Sequence, residues 1–265
     1  MNKIVKRLLS VVAITAISLS LISCGQTKKD STDSNAANTI VVGLDDSFPP
    51  MGFKNSKGEL QGFDIDMAKE IAKRTNKEIK FMPYNWDGII PGLKQKKFDV
   101  IISAMSVTPE REKEIAFSTP YLNERQVVVV KKDNTSITSP DDLKGKTVGV
   151  QKGSTSEDAI KDTKSTFKDT KLYDENIAAL QDLQIGRIDA VVVDELVARY
   201  YIKEKADTYK VLDKSVATEP IAIGLRQEDK DLKTTFDKVI KEMQEDGTLA
   251  KISKTWFGED ITSSK

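Results

Sequence analysis

Apolar and polar positions along this chain follow two periods that take turns. Short runs such as TIVVGL at 39–44, FDVIIS at 98–103, QVVVV at 126–130 and IDAVVV at 188–193 are rich in β-branched residues and predict buried strands. Other segments space their apolar residues three and four apart. Ile65, Ala68, Ile71 and Ala72 mark one face of a helix over 64–74. Leu232, Phe236, Val239, Ile240 and Met243 mark a longer helix, which Gly247 breaks, and Leu249, Ile252 and Trp256 continue a shorter one. The same reasoning predicts strands at 77–82, 147–151 and 171–173, and helices at 86–96, 154–161, 176–185 and 195–204. Pro91 should distort the helix over 86–96. Thr108-Pro109-Glu110-Arg111 is a helix start, with a capping hydroxyl, a proline in the first turn and then an acid. The stretch 45–52, with Pro49 and Pro50, reads as a loop.

Strands that alternate with helices predict an α/β fold whose sheet is covered on both faces. Two such blocks are present. The chain leaves the first through QVVVV and returns through TEPIAIGLR at 218–226. That pattern predicts two lobes, two crossings, and a cleft between the lobes where a small ligand binds.

Composition narrows the chemistry. The chain has 265 residues, room for two small lobes. Its 41 basic and 41 acidic residues balance, which argues against a nucleic-acid partner. It has no histidine, which removes histidine-based nucleophile triads and imidazole zinc sites. Its one cysteine excludes an intrachain disulfide and cysteine-cluster metal sites. No metal or cofactor is expected. Gly153-Ser154-Thr155-Ser156 looks like a phosphate cradle but lacks the glycine-and-lysine pattern of a nucleotide loop.

The N-terminus is a separate matter. Lys3, Lys6 and Arg7 precede an uncharged apolar run over 8–22, shorter than the roughly 20 residues of a membrane span. The run ends in Leu21-Ile22-Ser23-Cys24, which resembles the cleavage box of bacterial lipoproteins. The resemblance implies a signal peptide over 1–23, a diacylglycerol-modified Cys24 and a lipid anchor in the membrane. Residues 24–38 are polar and read as a flexible tether.

The segment GFDIDMAKEIA at 62–72 resembles the signature of the bacterial extracellular solute-binding proteins of the polar amino acid type, family 3. Thr75 is a mild departure, since that pattern prefers an apolar or small residue there. The likeness extends through NWDGIIPGLKQKKFDVIISAMSVTPERE, STPY, LKGKTVGVQKGST, GRIDAVVVDE and the stretch from GLRQED to KTWFG, so it spans 39–258. It implies a two-lobe fold of the type II periplasmic-binding-protein kind, with lobes joined by two hinge strands. Lobe one would be 39–128 with 223–265, and lobe two 129–222. It also implies a receptor that captures a polar amino acid by lobe closure and delivers it to the permease of an ABC importer. The receptor would be an extracytoplasmic, lipid-anchored monomer, not an enzyme.

The resemblance assigns roles to particular residues. Arg111, in the pattern SxxSxTxxR from Ser103, would hold the ligand α-carboxylate, helped by backbone N–H groups at Ser106 and Thr155 and by the turn at Ser154. Asp194 ends a strand, the edge where α/β sheets bind ligands, and would meet the α-ammonium with the Ala104 carbonyl and the Ser106 hydroxyl. By position alone Asp194 is equally a helix cap. Phe48 and Trp86 would sandwich the ligand side chain, although aromatic residues more often pack in a core. Asp45 would face the far end of a cationic or amide side chain, or else form an Asx turn with Ser47. Two other classes share this fold. One is an arogenate or prephenate dehydratase, for which Asp45 and Glu219 are the acids available. The other is a sensor that presents ligand to a membrane signalling protein.

Overall fold

A computed structural model of the protein describes residues 38–163 and 166–262. The signal segment and tether expected from the sequence, with Cys24, fall on residues 1–37, outside the described residues.

The strands are β1 (Thr39–Leu44), β2 (Ser47–Phe48), β3 (Gly52–Lys54), β4 (Leu60–Gln61), β5 (Glu78–Pro83), β6 (Val100–Ser106) and β7 (Ala116–Phe117). They continue with β8 (Leu122–Lys131), β9 (Thr147–Gln151), β10 (Asp169–Tyr173), β11 (Ala190–Asp194), β12 (Tyr209–Val211) and β13 (Ala217–Leu225). The helices are α1 (Phe63–Thr75), α2 (Ile89–Lys94), α3 (Pro109–Glu112), α4 (Thr155–Ala159), α5 (Asn176–Gln184), α6 (Glu195–Glu204), α7 (Lys230–Glu245) and α8 (Thr248–Phe257).

Most strands join one curled sheet in the order β10-β9-β11-β8-β13-β6-β1-β5. At one end β5, β1 and β6 run parallel. At the other β10, β9 and β11 run parallel. Between them lie β8 and β13, paired antiparallel from Leu122–Ile221 to Gln126–Ala217. These are the two crossings, and they make two α/β halves of one sheet. Strand β8 starts earlier than the run QVVVV suggested. Asn123, Glu124 and Arg125 interrupt the apolar pattern, yet their backbone pairs with β13 all the same.

Apolar packing covers both faces. The principal cluster passes through both halves, from Ile40, Phe63 and Ile71 to Val127, Leu180 and Val197. A second cluster, with Val128, Val148 and Val192, backs one half, and a third, with Leu93, Phe98 and Met105, backs the other. Every residue of β6 and β11 is buried, as a near-continuous apolar run in a parallel sheet requires.

Two local expectations need correction. The helix over 86–96 is a 3-10 turn at Trp86–Gly88 followed by α2. Pro91 therefore falls in the first turn of α2, where its missing N–H has no intrahelical acceptor to lose, so the proline is tolerated. The 45–52 loop contains β2 and the start of β3, which with β4 form a small antiparallel sheet. Pieces of two and three residues are too short to show a period.

Candidate functional site

The site is built at the C-terminal ends of parallel strands. Asp45 follows β1, Ser103 to Ser106 end β6, Lys152 to Thr155 follow β9, and Asp194 ends β11. Open α/β sheets collect ligand groups at that edge because side chains and helix starts from several strands converge there.

Arg111 sits on the one-turn helix α3. Thr108 caps the helix by accepting the Arg111 N–H at 3.2 Å, and Pro109 fixes its first turn. The guanidinium is buried, with 8% of the residue exposed. Its Nη1 donates to the Ser106 carbonyl at 3.1 Å and its Nη2 to the Gly153 carbonyl at 3.3 Å. Its central carbon lies 5.6 Å from the centre of the Trp86 ring, within cation–π range. Burial lowers its pKa, opposed by the negative charges of Glu219, Asp158 and Asp194.

Ser154 caps α4, accepting the Glu157 N–H at 3.2 Å and donating to the Gln151 carbonyl at 2.7 Å. Thr155 is buried, and its hydroxyl lies 3.4 Å from the Ser106 hydroxyl. Gln126 holds this corner together. Its amide donates to Thr155 Oγ1 at 3.1 Å and to Asp194 Oδ1 at 2.9 Å, and its carbonyl accepts from the Ser156 hydroxyl. Asp194 occupies the cap position of α6, but its side chain makes no capping bond and turns to Gln126 instead. Burial raises its pKa to about 6; the Gln126 bond works against that rise and the Glu219 charge adds to it.

Asp45 forms the Asx turn foreseen for it. Its Oδ1 accepts the Ser47 N–H at 2.9 Å and the Ser47 hydroxyl at 2.7 Å, an Asx turn. Its Oδ2 accepts from Gln151 Nε2 at 2.8 Å, and its N–H donates to the Ser103 hydroxyl at 3.0 Å. Gln151 is held in turn by the Asn176 amide at 2.9 Å. Trp86 Nε1 donates to the Gly153 carbonyl at 3.2 Å. Phe48 packs into the principal apolar cluster. A pocket of about 500 Å³ opens at this end, lined by Asp45, Tyr84, Trp86, Asp87 and Glu175 among others.

Sequence reasoning missed several buried polar residues, three of which hold the site together. Asp64 is fully buried on α1; its Oδ2 accepts the Ala104 N–H at 2.7 Å and its Oδ1 accepts the Tyr121 hydroxyl at 2.9 Å. The bond holds Ala104 in a left-handed conformation, φ 46°, uncommon for a residue with a Cβ. Burial pushes the Asp64 carboxyl up to about 7 against the lowering effect of these two bonds. Gln126 and Gln151 are the other two. The available signal was an acid on the apolar face of the 64–74 helix, an amide at the start of the run QVVVV and another at the end of β9.

Several of these bonds link the two halves of the sheet. Arg111 and Trp86 reach Gly153, Asp45 meets Gln151, Ser106 meets Thr155, and Lys152 pairs with Asp87 at 2.7 Å. Two α/β halves crossed by two antiparallel strands, with a buried guanidinium on one side of the gap and a buried carboxylate on the other, define a two-lobe ligand-binding protein in a closed arrangement. The profile of the bacterial extracellular solute-binding proteins, family 3, matches residues 40–259, and the chain belongs to that family. It is 38% identical over 225 residues to the L-cystine-binding protein TcyJ of Escherichia coli K12, covering 84% of each chain. It is 36% identical to ABC transporter arginine-binding protein 1 of the same organism, covering 84% of this chain and 92% of that one. A solved structure of an ancestral arginine-binding protein bound to glutamine superposes with a TM-score of 0.80 at 45% identity, over 84% of this chain and 99% of that one. These relatives are binding proteins, and the dehydratase alternative falls away.

Proposed function

We propose that this protein is the extracytoplasmic receptor of an amino acid ABC importer, closing its lobes on one polar L-amino acid. The lobes comprise 39–128 with 223–265, and 129–222. Arg111 takes the α-carboxylate by a bidentate pair, with Ser154 and Thr155 closing from the second lobe. Asp194 takes the α-ammonium with the Ala104 carbonyl and the Ser106 hydroxyl, and Ser103 steadies the loop through Asp45. Trp86 and Phe48 flank the side chain, and Asp45 faces its far end. That end favours a cationic or amide group, in line with the arginine-binding relatives. Contacts made only on closure shift the lobe equilibrium toward the closed form, which docks on the permease. Cys24 carries the lipid that keeps the monomer at the membrane, and partition of the native chain into detergent tests that anchor.

The observation that carries this reading is the pair Arg111 and Asp194, both buried and on opposite halves of one gap. A melting screen with the twenty amino acids, ornithine, citrulline and cystine tests it. A ligand at 100 times its Kd stabilises the native state by about 2.7 kcal/mol, so one cationic or amide amino acid should raise the melting point by several degrees. No shift with any of them would overturn the proposal.

A pH dependence follows. Asp194 is ionised above its pKa of about 6 and loses its charge below it. Affinity measured by calorimetry should hold from pH 8 to 7 and weaken below pH 6, by at most about tenfold per pH unit. A flat profile down to pH 5 would remove Asp194 from the ammonium.

A further inference from the structure

We infer that Glu219 is a ligand-binding residue of the cleft, a second carboxylate for the α-ammonium beside Asp194. This rests on the amino acid reading above and extends it.

The strand registers place Glu219 between two parts of the site. Asp194 of β11 is paired with Gln126 of β8, and Gln126 with Ala217 of β13. Two residues beyond Glu219, Ile221 of β13 is paired with Ser106 of β6. Paired residues share a sheet face, and residues two apart on a strand share it too. Asp194, Gln126, Ala217, Glu219, Ile221 and Ser106 therefore lie on one face of the crossing, with Glu219 midway between the Asp194 row and the Ser106 row. On this face Gln126 reaches Asp194 and Thr155, and Thr155 lies against the Ser106 hydroxyl, so the face carries residues of the gap.

The side chain is also chemically unfinished. Its Oε2 is buried and has no hydrogen-bond partner among the described residues. A buried carboxylate oxygen without a donor is costly, and proteins retain such groups where a ligand supplies the donor. Its charge is felt at both ends of the site, by Arg111 and by Asp194. An ammonium has three N–H donors. Asp194 already spends Oδ1 on Gln126, so one carboxylate oxygen there leaves two donors for other acceptors. Glu219 Oε2 and the Ser106 hydroxyl are on the same face.

The charge count carries the ligand class further. Asp45, Asp194 and Glu219 lie around the gap with one buried arginine, Arg111, while burial holds Glu124, the register partner of Glu219, toward its neutral form. A zwitterion adds no net charge, so a ligand with a cationic side chain offsets the excess better than an amide does.

Calorimetry with two ligand pairs tests this. The pairs are L-arginine with 5-guanidinopentanoate, and L-glutamine with glutaramate; the second member of each lacks the α-ammonium. Glu219→Gln keeps the shape and removes the charge. It should weaken the amino acids by about 10- to 100-fold, the range of one charge-assisted hydrogen bond, and leave the deamino analogues within about threefold. Equal weakening of both members, or unchanged amino acid binding, would overturn the inference. If the glutamine variant does not melt cooperatively, Glu219→Asp replaces it, with a smaller loss for the amino acids and none for the analogues as the expected result. Wild-type protein that binds neither amino acid nor any other in the melting screen overturns the receptor reading itself, and this inference with it.

Discussion

Arg111→Ala should raise the Kd for the amino acid by two to three orders of magnitude. Removing one member of a buried, hydrogen-bonded charge pair costs about 2–5 kcal/mol, and each 1.4 kcal/mol is tenfold. The loss comes from leaving the ligand carboxylate desolvated without a counter-charge. Two further effects oppose each other in the ligand-free protein. The variant takes the guanidinium donor from the Ser106 carbonyl and leaves the Gly153 carbonyl with Trp86 alone, which destabilises it. It also removes a desolvated cation, which relieves strain on the fold. The melting point without ligand should therefore move little while ligand-induced stabilisation disappears. Arg111→Lys should recover only part of the affinity, because an ammonium cannot form the paired fork. Calorimetry that finds the alanine variant within threefold of wild type would take Arg111 out of the site.

Asp64→Ala should be the most destabilising of the single changes at the site. It strands the Ala104 N–H and the Tyr121 hydroxyl in a buried place, at about 1–3 kcal/mol each. It also frees Ala104 from its left-handed backbone, so the carbonyl proposed to meet the ligand would swing away. Chemical denaturation should show a loss of about 3 kcal/mol, with weaker ligand binding alongside. The pH dependence carries a definite sign. The folded carboxyl titrates near 7 and the ordinary value is 3.8, so between those values the folded state binds the proton more tightly. The group's stabilising contribution is complete below about pH 4 and is lost as pH rises toward 7. Asp64→Asn cannot ionise and keeps one acceptor and one donor for the same two neighbours. Its stability should lack that decline, and the gap between the two proteins should change by up to about 4 kcal/mol from pH 4 to 8. Parallel curves for wild type and the asparagine variant would show that the Asp64 charge is not buried.

Much of this architecture is written in the chain's periodicity. β1, β9, α6 and the crossing strand β13 follow directly from the spacing of their apolar residues. The place of Asp194 follows from a strand end, the edge where α/β sheets bind ligands, whereas the reading of Arg111 rests on the resemblance carried by SxxSxTxxR. The amides Gln126 and Gln151 could not be foreseen in the same way. Each bonds to groups from other strands, and Gln151 bonds across the gap to Asp45. The Gln126 contacts depend on strand pairing and the Gln151–Asp45 contact on how the two halves meet, and no local pattern encodes either. Asp64 was hidden for a related reason. Its helix reads as amphipathic with or without it, and only its partners on β6 and at Tyr121 distinguish a buried acid from a solvated one.

One close approach of the two lobes depends on the side chain that a glycine lacks. Gly153 has φ 71°, and a methyl group there would sit 3.1 Å from the Asp87 backbone. Its carbonyl is the shared acceptor for Trp86 and Arg111. A hydrogen in place of a carbon thus acts as the spacer of the jaw, and how far the protein shuts is gauged at a residue that offers a ligand no side chain at all.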